Sequence, residues 1–326
     1  MTSAKPVSQT RSFSTVFLIE MWERFGYYGM QALIVYYMVQ RLGFSDDRAN
    51  LTWGAAAALI YVAPAIGGWV GDKFFGTRHT MLLGAFVLAI GYALMVVPAA
   101  DTTFLFLALG VIVVGNGLFK ANAGNLVRKI YEGDDAKIDS AFTIYYMAVN
   151  IGSMFSMLLT PKIKDYFNAP FNGQLSWLLG DNARVLFGDG LGWHIAFAVC
   201  CAGLLVGLGN YAVMRHTLHH IGSEPDRQPF KFWKLLAVIA GGIAVVFISA
   251  FILKYENVAR IFVYVAGACV LAIFAWLISR SRHSEKAGLI ISLILVVETV
   301  FFFIFYQQMS TSLNLFALRD VDPAFR

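Results

Sequence analysis

The sequence predicts an all-α polytopic membrane protein. Of its 326 residues, 58% are hydrophobic and only 14% are charged, whereas soluble domains carry about 25% charged residues. The apolar residues come in runs of about 20, the length that a helix needs to cross the hydrocarbon core of a bilayer. A lipid bilayer is therefore the predicted surrounding of most of the chain.

Nine apolar segments follow one another, and each is expected to be a helix. Their ranges are 16–40, 49–70, 80–99, 103–123, 140–160, 193–214, 233–253, 258–279 and 287–316. The seventh and eighth carry charge only at their ends and are joined by a short turn, 254–260, which predicts a lipid-facing helical hairpin. Two longer polar connections, 124–139 and 161–192, are expected outside the membrane, because irregular backbone is not tolerated in lipid.

The placement of basic residues predicts the orientation. Lys73 and Arg78 lie in one short connection, and Arg280, Arg282 and Lys286 lie in another. Because short cytoplasmic loops are enriched in Lys and Arg, the N-terminus is predicted to be cytoplasmic. The same enrichment explains the net charge of +5. No basic stripe interleaves with aromatic residues on a polar stretch, so no nucleic-acid partner is predicted.

Ionisable residues inside the apolar segments are the main candidates for function. A charge at the bilayer centre costs roughly 2.5–3.5 kcal/mol on insertion scales, and five residues would bear such a cost: Glu20, Glu23, Arg24, Lys120 and Glu298. Glu20 shares a helical face with Glu23 at i+3 and with Arg24 at i+4. Two carboxylates beside one guanidinium favour a second cation or a bound proton, and Lys120 is the natural second cation. The alternatives are that Glu20 snorkels to water and that Glu298 is structural.

Polar side chains that could line a path accompany these charges. Tyr28 follows the charged residues by about one turn, Tyr61 lies mid-segment, and Gln307 lies toward the outer end of the last segment. Tyr146 and Asn150 are four residues apart and share a helical face. The alternatives are interfacial tyrosines and an interhelical hydrogen bond from Asn150.

Enzymatic motifs are not found in the sequence. It contains no His-Glu-x-x-His and no Gly-x-Ser-x-Gly motif. The three cysteines, Cys200, Cys201 and Cys269, lie in apolar runs without metal-ligand spacing and are interpreted as packing residues. The protein is therefore not expected to be an enzyme, and no metal site is predicted.

Several motifs resemble those of one transporter family. Residues 68–78, Gly-Trp-Val-Gly-Asp-Lys-Phe-Phe-Gly-Thr-Arg, are similar to the loop after the second helix of the major facilitator superfamily, and Asp72 is expected to cap a helix N-terminus. Glu20-x-x-Glu23-Arg24-Phe resembles the ExxERF signature of the proton-dependent oligopeptide transporter family. Residues 115–122 and 142–153 resemble that family's fourth-helix and fifth-helix motifs.

The resemblance implies a major facilitator fold of twelve core helices plus the extra hairpin, with about five helices expected beyond residue 326. The predicted domains are an N-terminal six-helix bundle over 1–216, a cytoplasmic linker and hairpin over 217–285, and the first helix of a second bundle over 286–326. The implied function is proton-coupled import of dipeptides and tripeptides by alternating access across a bacterial inner membrane. The resemblance further implies a monomer that needs no cofactor and uses the proton as coupling ion. The alternative is another small solute, such as nitrate, on the same scaffold.

The family's motifs also imply residue roles. Glu20, Glu23, Arg24 and Lys120 are carried over to proton coupling, with Lys120 also meeting the peptide carboxylate. The predicted substrate-binding residues are Tyr28, Gln31, Tyr61, Lys120, Tyr146, Asn150, Glu298 and Gln307. Many family members have Arg at the position of Gln31 and Glu near the position of Gln307, and the resemblance implies that this pair helps to close the outer gate. Losing both charges leaves no buried charge without a partner, so a hydrogen-bonded outer gate is expected instead of a salt bridge.

Overall fold

A computed structural model describes residues 8–98, 102–168 and 190–322, and every regular element in these ranges is helical. The chain divides into two compact units. The first comprises Met1–Ile34 with Ala56–Phe251, and the second comprises Val35–Ala55 with Ile252–Arg326.

Ten helices longer than one turn make up the described chain. They are α1 (Gln9–Tyr36), α2 (Asp46–Trp69), α3 (Thr77–Val96), α4 (Thr102–Ile130), α5 (Asp135–Asn168), α6 (Leu191–Met214), α7 (Phe232–Lys254), α8 (Glu256–Arg280), α9 (His283–Gln308) and α10 (Ser312–Asp320). Two of them end in π-helical turns, Tyr37–Arg41 after α1 and Val70–Phe75 after α2. A 3-10 turn, Arg215–Leu218, follows α6, and a one-turn helix, Glu224–Arg227, precedes α7.

Eight helical stretches within the described ranges are long and apolar enough to cross a membrane, which confirms the predicted fold class. They are Asp46–Phe75, Thr77–Val96, Thr102–Ile130, Ala136–Asn168, Leu191–Leu218, Phe232–Lys254, Glu256–Arg280 and Ser284–Asp320. The first predicted segment is also a helix, α1, but its charged residues and tyrosines leave it outside this apolar group. The ninth predicted segment is interrupted after Gln308 and continues as α10.

Several helices extend beyond their apolar runs, and this corrects two predicted connections. The connection predicted at 124–139 shortens to 131–134. In the connection predicted at 161–192, α5 continues through Pro161 to Asn168, and 169–189 lie outside the described residues. The apolar run marks only the part of a helix that lies in lipid, and a helix can continue into water because its backbone hydrogen bonds are internal. Between α7 and α8 a single residue, Tyr255, replaces the predicted turn at 254–260.

Close helix approach at glycines holds the core of the first unit together. A Cβ atom on Gly84 of α3 would lie 2.5 Å from the backbone nitrogen of Phe119 on α4. On α5, a Cβ atom on Gly152 would lie 2.3 Å from the carbonyl oxygen of Met21 on α1. Small residues at such crossings allow the backbones of membrane helices to approach closely. They bring α3 against α4, and α5 against the charged face of α1.

The N-terminus of α3 is capped by residues that lie far away in the sequence. The Ser223 hydroxyl accepts a hydrogen bond from the Thr77 N–H at 3.0 Å. The Asp226 carboxylate accepts from the backbone N–H groups of Arg78 at 3.1 Å and His79 at 3.3 Å. These bonds satisfy amide donors that the first turn of a helix leaves without partners. Ser223 and Asp226, called the α3 cap below, therefore fix the segment after α6 to the start of α3.

This arrangement differs from the prediction that Asp72 caps a helix. Asp72 accepts a hydrogen bond from the Thr77 side chain at 3.3 Å, while the amides of α3 bond to the α3 cap. Gly76, with a φ of 104°, gives a carboxylate from outside room to approach, because a Cβ atom there would lie 2.4 Å from Asp226 Oδ1. Burial alone would raise the pKa of Asp226, but hydrogen bonds from His79 and from the backbone of Arg78 and Ser223 outweigh it and lower that pKa.

In the second unit, most side chains of α8 and α9 are exposed. Polar contacts join α10 to the start of α2 and to the end of α1. Arg319 donates two hydrogen bonds to the Asp46 carboxylate, at 2.5 and 2.9 Å. The Tyr36 hydroxyl donates to the backbone carbonyl of Asn314 at 2.8 Å.

Candidate functional site

Three charged side chains of α1 are removed from solvent. Glu20 and Glu23 are fully buried, and Arg24 is 6% exposed. Helical spacing places Glu23 and Arg24 one turn from Glu20. Each of these charges needs a partner, because burial without one is expensive.

Glu20 is the centre of the site and accepts hydrogen bonds from two other helices. The Lys120 Nζ atom on α4 donates to Glu20 Oε1 at 2.7 Å. The Tyr145 hydroxyl on α5 donates to Glu20 Oε2 at 2.5 Å. Arg24 Nε lies 3.6 Å from Glu20 Oε1. A single carboxylate thereby joins α1, α4 and α5.

Glu23 is held by Arg24 alone among the cations of the site. Arg24 Nη2 donates to Glu23 Oε1 at 2.7 Å, and Arg24 Nε donates to Glu23 Oε2. The guanidinium also lies over the ring of Tyr27, 4.8 Å from its centroid. Paired donation from a guanidinium to a carboxylate adds both strength and geometric specificity. The site therefore contains two distinct pairs, one formed with Lys120 and one with Arg24.

The two pairs differ in their access to solvent. The Lys120 side chain is 36% exposed, whereas the Arg24 side chain is 7% exposed. An anionic ligand can therefore reach the Lys120 ammonium, whereas the Arg24 guanidinium is enclosed by Glu23, Glu20 and Tyr27. A ligand carboxylate at Lys120 would compete directly with Glu20. The geometry thus allows an exchange of partners at one carboxylate.

The other predicted site residues lie outside these pairs. In the first unit, Tyr28 is half-buried with its ring 5.3 Å from that of Tyr27, and Gln31 is 8% exposed. Tyr61 on α2 and Tyr146 on α5 are 66% and 65% exposed.

Asn150 on α5 is exposed as well. Glu298, which is exposed, and Gln307, which is half-buried, belong to the second unit. Among the described residues, no group of His, Cys, Asp and Glu side chains is placed to hold a metal ion.

Tyr145 is a member of the site that was not among the predicted site residues. The sequence places both Tyr145 and Tyr146 along the polar path, but the predicted site residues include only Tyr146, and successive residues of a helix point about 100° apart. The sequence does carry a signal for Tyr145. Small residues at Ala141, Ala148 and Gly152 recur at helical spacing around it and predict that this face of α5 packs inward.

Comparison with known proteins identifies relatives over nearly the whole chain. The family model described as POT family matches residues 78–326. The dipeptide and tripeptide permease A of Cronobacter turicensis is 39% identical over 320 residues, covering 98% of this chain and 59% of the permease. The dipeptide and tripeptide permease B of Salmonella typhimurium is 39% identical over 315 residues, covering 97% of this chain and 60% of that protein.

Solved structures of similar proteins also match nearly the whole chain. The structure of a bacterial homologue of the human drug peptide transporters PepT1 and PepT2 is 65% identical, with a TM-score of 0.85 over 97% of this chain and 64% of that one. A structure described as tetrameric PepTSo2 is 66% identical, with a TM-score of 0.84 over 96% of this chain and 63% of that one.

These relatives share the major facilitator fold. The chain spans about 60% of the length of the curated permeases that it matches. Its family model covers about three quarters of the sequence. The chain belongs to the POT family.

Proposed function

We propose that the protein imports dipeptides and tripeptides together with protons by alternating access. The relatives described as dipeptide and tripeptide permeases support the substrate class. The observation that carries the mechanism is the buried carboxylate of Glu20, paired at 2.7 Å with the partly exposed ammonium of Lys120. A zwitterionic peptide brings a carboxylate that fits that ammonium.

The proposed coupling step is an exchange of partners. The peptide carboxylate binds Lys120, and Glu20 loses its closest cation. Glu20 then keeps the hydroxyl of Tyr145 and the more distant Arg24 Nε at 3.6 Å. A buried carboxylate that has lost an opposite charge binds a proton more readily. Peptide binding and proton binding therefore favour each other, and by linkage the effect is reciprocal.

Arg24 and Glu23 form the second part of the proposed coupling site. Arg24 donates to Glu23 and also lies near Glu20, so it is shared by both carboxylates. When Glu20 takes up a proton, Arg24 can remain fully engaged with Glu23. This sharing keeps the buried charge balanced during the exchange, which is the condition for burying charges at tolerable cost.

Exposed polar side chains of α2 and α5 are the proposed peptide contacts. Tyr61, Tyr146 and Asn150 present hydroxyl and amide groups on exposed faces, where they can bond to a peptide backbone regardless of its side chains. Tyr28 and Gln31 follow the charges along α1. Glu298 stays a predicted contact because it is an ionisable residue inside an apolar segment, and Gln307 because it is a polar residue toward the outer end of the same segment.

The remaining features of the proposal follow from the charge pattern and the relatives. We place the protein in a bacterial inner membrane with a cytoplasmic N-terminus, because the short basic connections then face the cytoplasm. The proton is the proposed coupling ion, without a cofactor. A division at 216 and 285, with a six-helix bundle before and a further bundle beginning after, remains the proposed domain organisation. A monomer remains the proposed state, although a similar structure is described as tetrameric.

The proposal is tested by uptake of a labelled dipeptide into proteoliposomes with an inward proton gradient. Unlabelled dipeptides and tripeptides should compete, nitrate should not, and accumulation should collapse when a protonophore removes the gradient. Competition by nitrate alone would favour the alternative solute. Recovery of free amino acids inside the vesicles at the rate of uptake would indicate a peptidase instead.

A further inference from the structure

An apolar cavity lies on the outer surface of the first unit, away from the charged site. It has a volume of about 380 Å³ and is bounded by α2, α4 and α7. Ile66 and Trp69 of α2 line it and are each 60% exposed, so the cavity opens away from the core. On α7 its lining includes Ala237 and Gly241, whose small side chains leave the space unfilled.

The inner end of the cavity is closed by a contact between α4 and α7. A Cβ atom on Gly110 of α4 would lie 2.7 Å from the carbonyl oxygen of Val246 on α7, one residue beyond the last lining residue, Val245. From Ala237 to Val245, the apolar lining on α7 extends over eight residues, which rise about 12 Å. This length approaches the thickness of one bilayer leaflet, which is about half of a 30 Å hydrocarbon core. The cavity therefore has the dimensions and the apolar lining for part of an acyl chain.

A second cavity, of about 560 Å³, adjoins the apolar cavity near the N-terminal end of α7, and this second cavity is strongly polar. Its basic residues are Lys73, Arg128, Lys129, Arg227 and Lys234. Asp72, Glu132 and Glu224 also line it, which leaves a formal excess of two positive charges. Asp72 is already engaged by Asn125 and Thr77, each at 3.3 Å. The polar cavity therefore suits an anion.

Two elements connect the cavities. Phe74 lines the apolar cavity while its neighbour Lys73 lines the polar one. Lys234 lines the polar cavity and donates from Nζ to the Phe74 carbonyl at 2.7 Å, one turn before Ala237. Trp233 and Trp69 flank Phe74, with ring centroids 5.6 and 6.5 Å away. Aromatic and basic side chains at such a boundary are typical of the headgroup level of a membrane.

We propose that these joined cavities bind an anionic phospholipid, with its phosphate among the basic residues and one acyl chain between α2, α4 and α7. In the predicted orientation the lipid belongs to the cytoplasmic leaflet. Basic pockets between membrane helices on that side are suited to anionic headgroups. The lipid fills the space between the extra helix α7 and the core of the first unit, and so fixes where α7 sits.

The test compares retention of phosphatidylglycerol and phosphatidylcholine with identical chains by native mass spectrometry of the purified protein. The wild type should retain phosphatidylglycerol preferentially. Lys234→Gln and Arg128→Gln should each lower that retention about fivefold. Lys231→Gln, which removes the same charge from the same helical region but outside the cavity, should leave it unchanged. Equal retention of the two lipids, or an equal loss in Lys231→Gln, overturns the proposal.

A second pair of variants tests the acyl chain. Apart from neighbouring residues of the same helix, no atom lies within 4 Å of a Cβ placed on Gly241 or on Gly209 of α6, so both positions have open space into which a side chain can be introduced. Gly241→Leu should fill the cavity and lower phosphatidylglycerol retention at least tenfold, whereas Gly209→Leu should not. Glycerol phosphate, which is the headgroup without chains, should not displace the lipid. If glycerol phosphate displaces phosphatidylglycerol, or if Gly241→Leu retains as much phosphatidylglycerol as the wild type, the site binds a soluble anion and the lipid proposal is wrong.

Discussion

At the level of single residues, Glu20 has three positively polarised neighbours of different kinds. Lys120 is exposed enough to change partner, Arg24 donates to Glu23, and Tyr145 is a buried hydroxyl donor. Only the contact with Lys120 can be exchanged for a ligand without opening the core. Replacing each neighbour should therefore have a different effect.

Lys120→Ala should abolish proton-driven uptake, because Glu20 then carries no exchangeable cation and the peptide carboxylate has no ammonium to bind. Calorimetric titration with a free dipeptide and its C-terminally amidated form measures this directly. The wild type should prefer the free carboxylate by at least tenfold, and the folded variant should bind both forms equally. Lys120→Arg need not restore the preference, because the planar guanidinium of Arg replaces the compact ammonium of Lys. If the folded Lys120→Ala variant still prefers the free carboxylate, Lys120 has no role in binding it.

Tyr145→Phe should cost about 1.5–3 kcal/mol of stability, because it removes a hydrogen bond to a buried carboxylate while keeping the ring. The matched control is Tyr146→Phe, whose hydroxyl lies on a ring that is 65% exposed and should cost less than about 0.5 kcal/mol. Chemical denaturation in mild detergent compares the two. Equal losses would show that the hydrogen bond to Glu20 is not the cause.

The charged residues of the site could be predicted from the sequence because membrane helices rarely carry charges. The same argument predicts that Lys120 is the second cation beside Glu20 and Glu23, but it does not decide which carboxylate pairs with Lys120 and which with Arg24. Tyr145 was missed for a different reason. Two adjacent tyrosines look alike in a sequence, and only the direction of each on α5 decides which one reaches Glu20.

At the level of elements, contacts between helix backbones decide where the charges meet. On α2, a Cβ atom at Gly67 would lie 1.9 Å from the carbonyl oxygen of Gly117 on α4. Asn122 adds a hydrogen bond from Nδ2 to the Gly67 carbonyl at 2.8 Å. This crossing holds the stretch of α4 that carries Lys120 against α2.

Gly67→Ala should therefore destabilise the protein by about 1–3 kcal/mol, since the added methyl group meets backbone that cannot yield without moving a helix. Gly54→Ala on the same helix is the control, because no atom lies within 4 Å of its Cβ position. The control should be neutral or stabilised by up to about 1 kcal/mol through helix propensity. Thermal unfolding of both variants measures the difference in stability. A stable Gly67→Ala would mean that α2 and α4 are not packed this closely.

Because of the α3 cap, we expect the stability of the folded protein to fall at acidic pH. The pKa of Asp226 is lowered in the folded protein, so its stabilisation is present above the ordinary Asp pKa of about 3.9 and is lost as pH falls through the lower folded value. Asp226→Asn should flatten the decline in unfolding temperature between pH 6 and pH 3. It should also cost up to about 2 kcal/mol at pH 6 through the weakened cap.

Glu224→Gln is the control for Asp226→Asn, because Glu224 lies in the same one-turn helix but is exposed. It should retain the wild-type decline between pH 6 and pH 3. An equal flattening in both variants would remove Asp226 as the cause.

The helices themselves were predictable because apolar runs of membrane length admit few other structures. Their ends were not, since α4 and α5 continue as polar helices past the lipid-facing runs. The α3 cap could not be predicted either. Ser223 and Asp226 have the spacing of a capping box for their own one-turn helix, but nothing local in the sequence shows that they also cap α3.

At the level of the whole molecule, the orientation in the membrane is the property that the proposed import requires. With a cytoplasmic N-terminus, Glu132 between α4 and α5 faces the cytoplasm, and Glu256 after α7 faces outside. Glu256→Cys should react with a membrane-impermeant maleimide in intact spheroplasts, and Glu132→Cys should react only after permeabilisation. Both are made with Cys269→Ser, because Cys269 is exposed. The reverse labelling pattern would invert the topology.

The α3 cap has a consequence for synthesis. Asp226 follows Arg78, whose amide it caps, by 148 residues. At about 5–20 residues per second, a ribosome needs roughly 7–30 s to reach Asp226 after it has added Arg78. During that interval the first turn of α3 must be hydrated or held by the insertion machinery. Completion of the α3 cap therefore shows that the chain through α6 has been synthesised and folded back onto α3, and protease protection of arrested nascent chains can detect it.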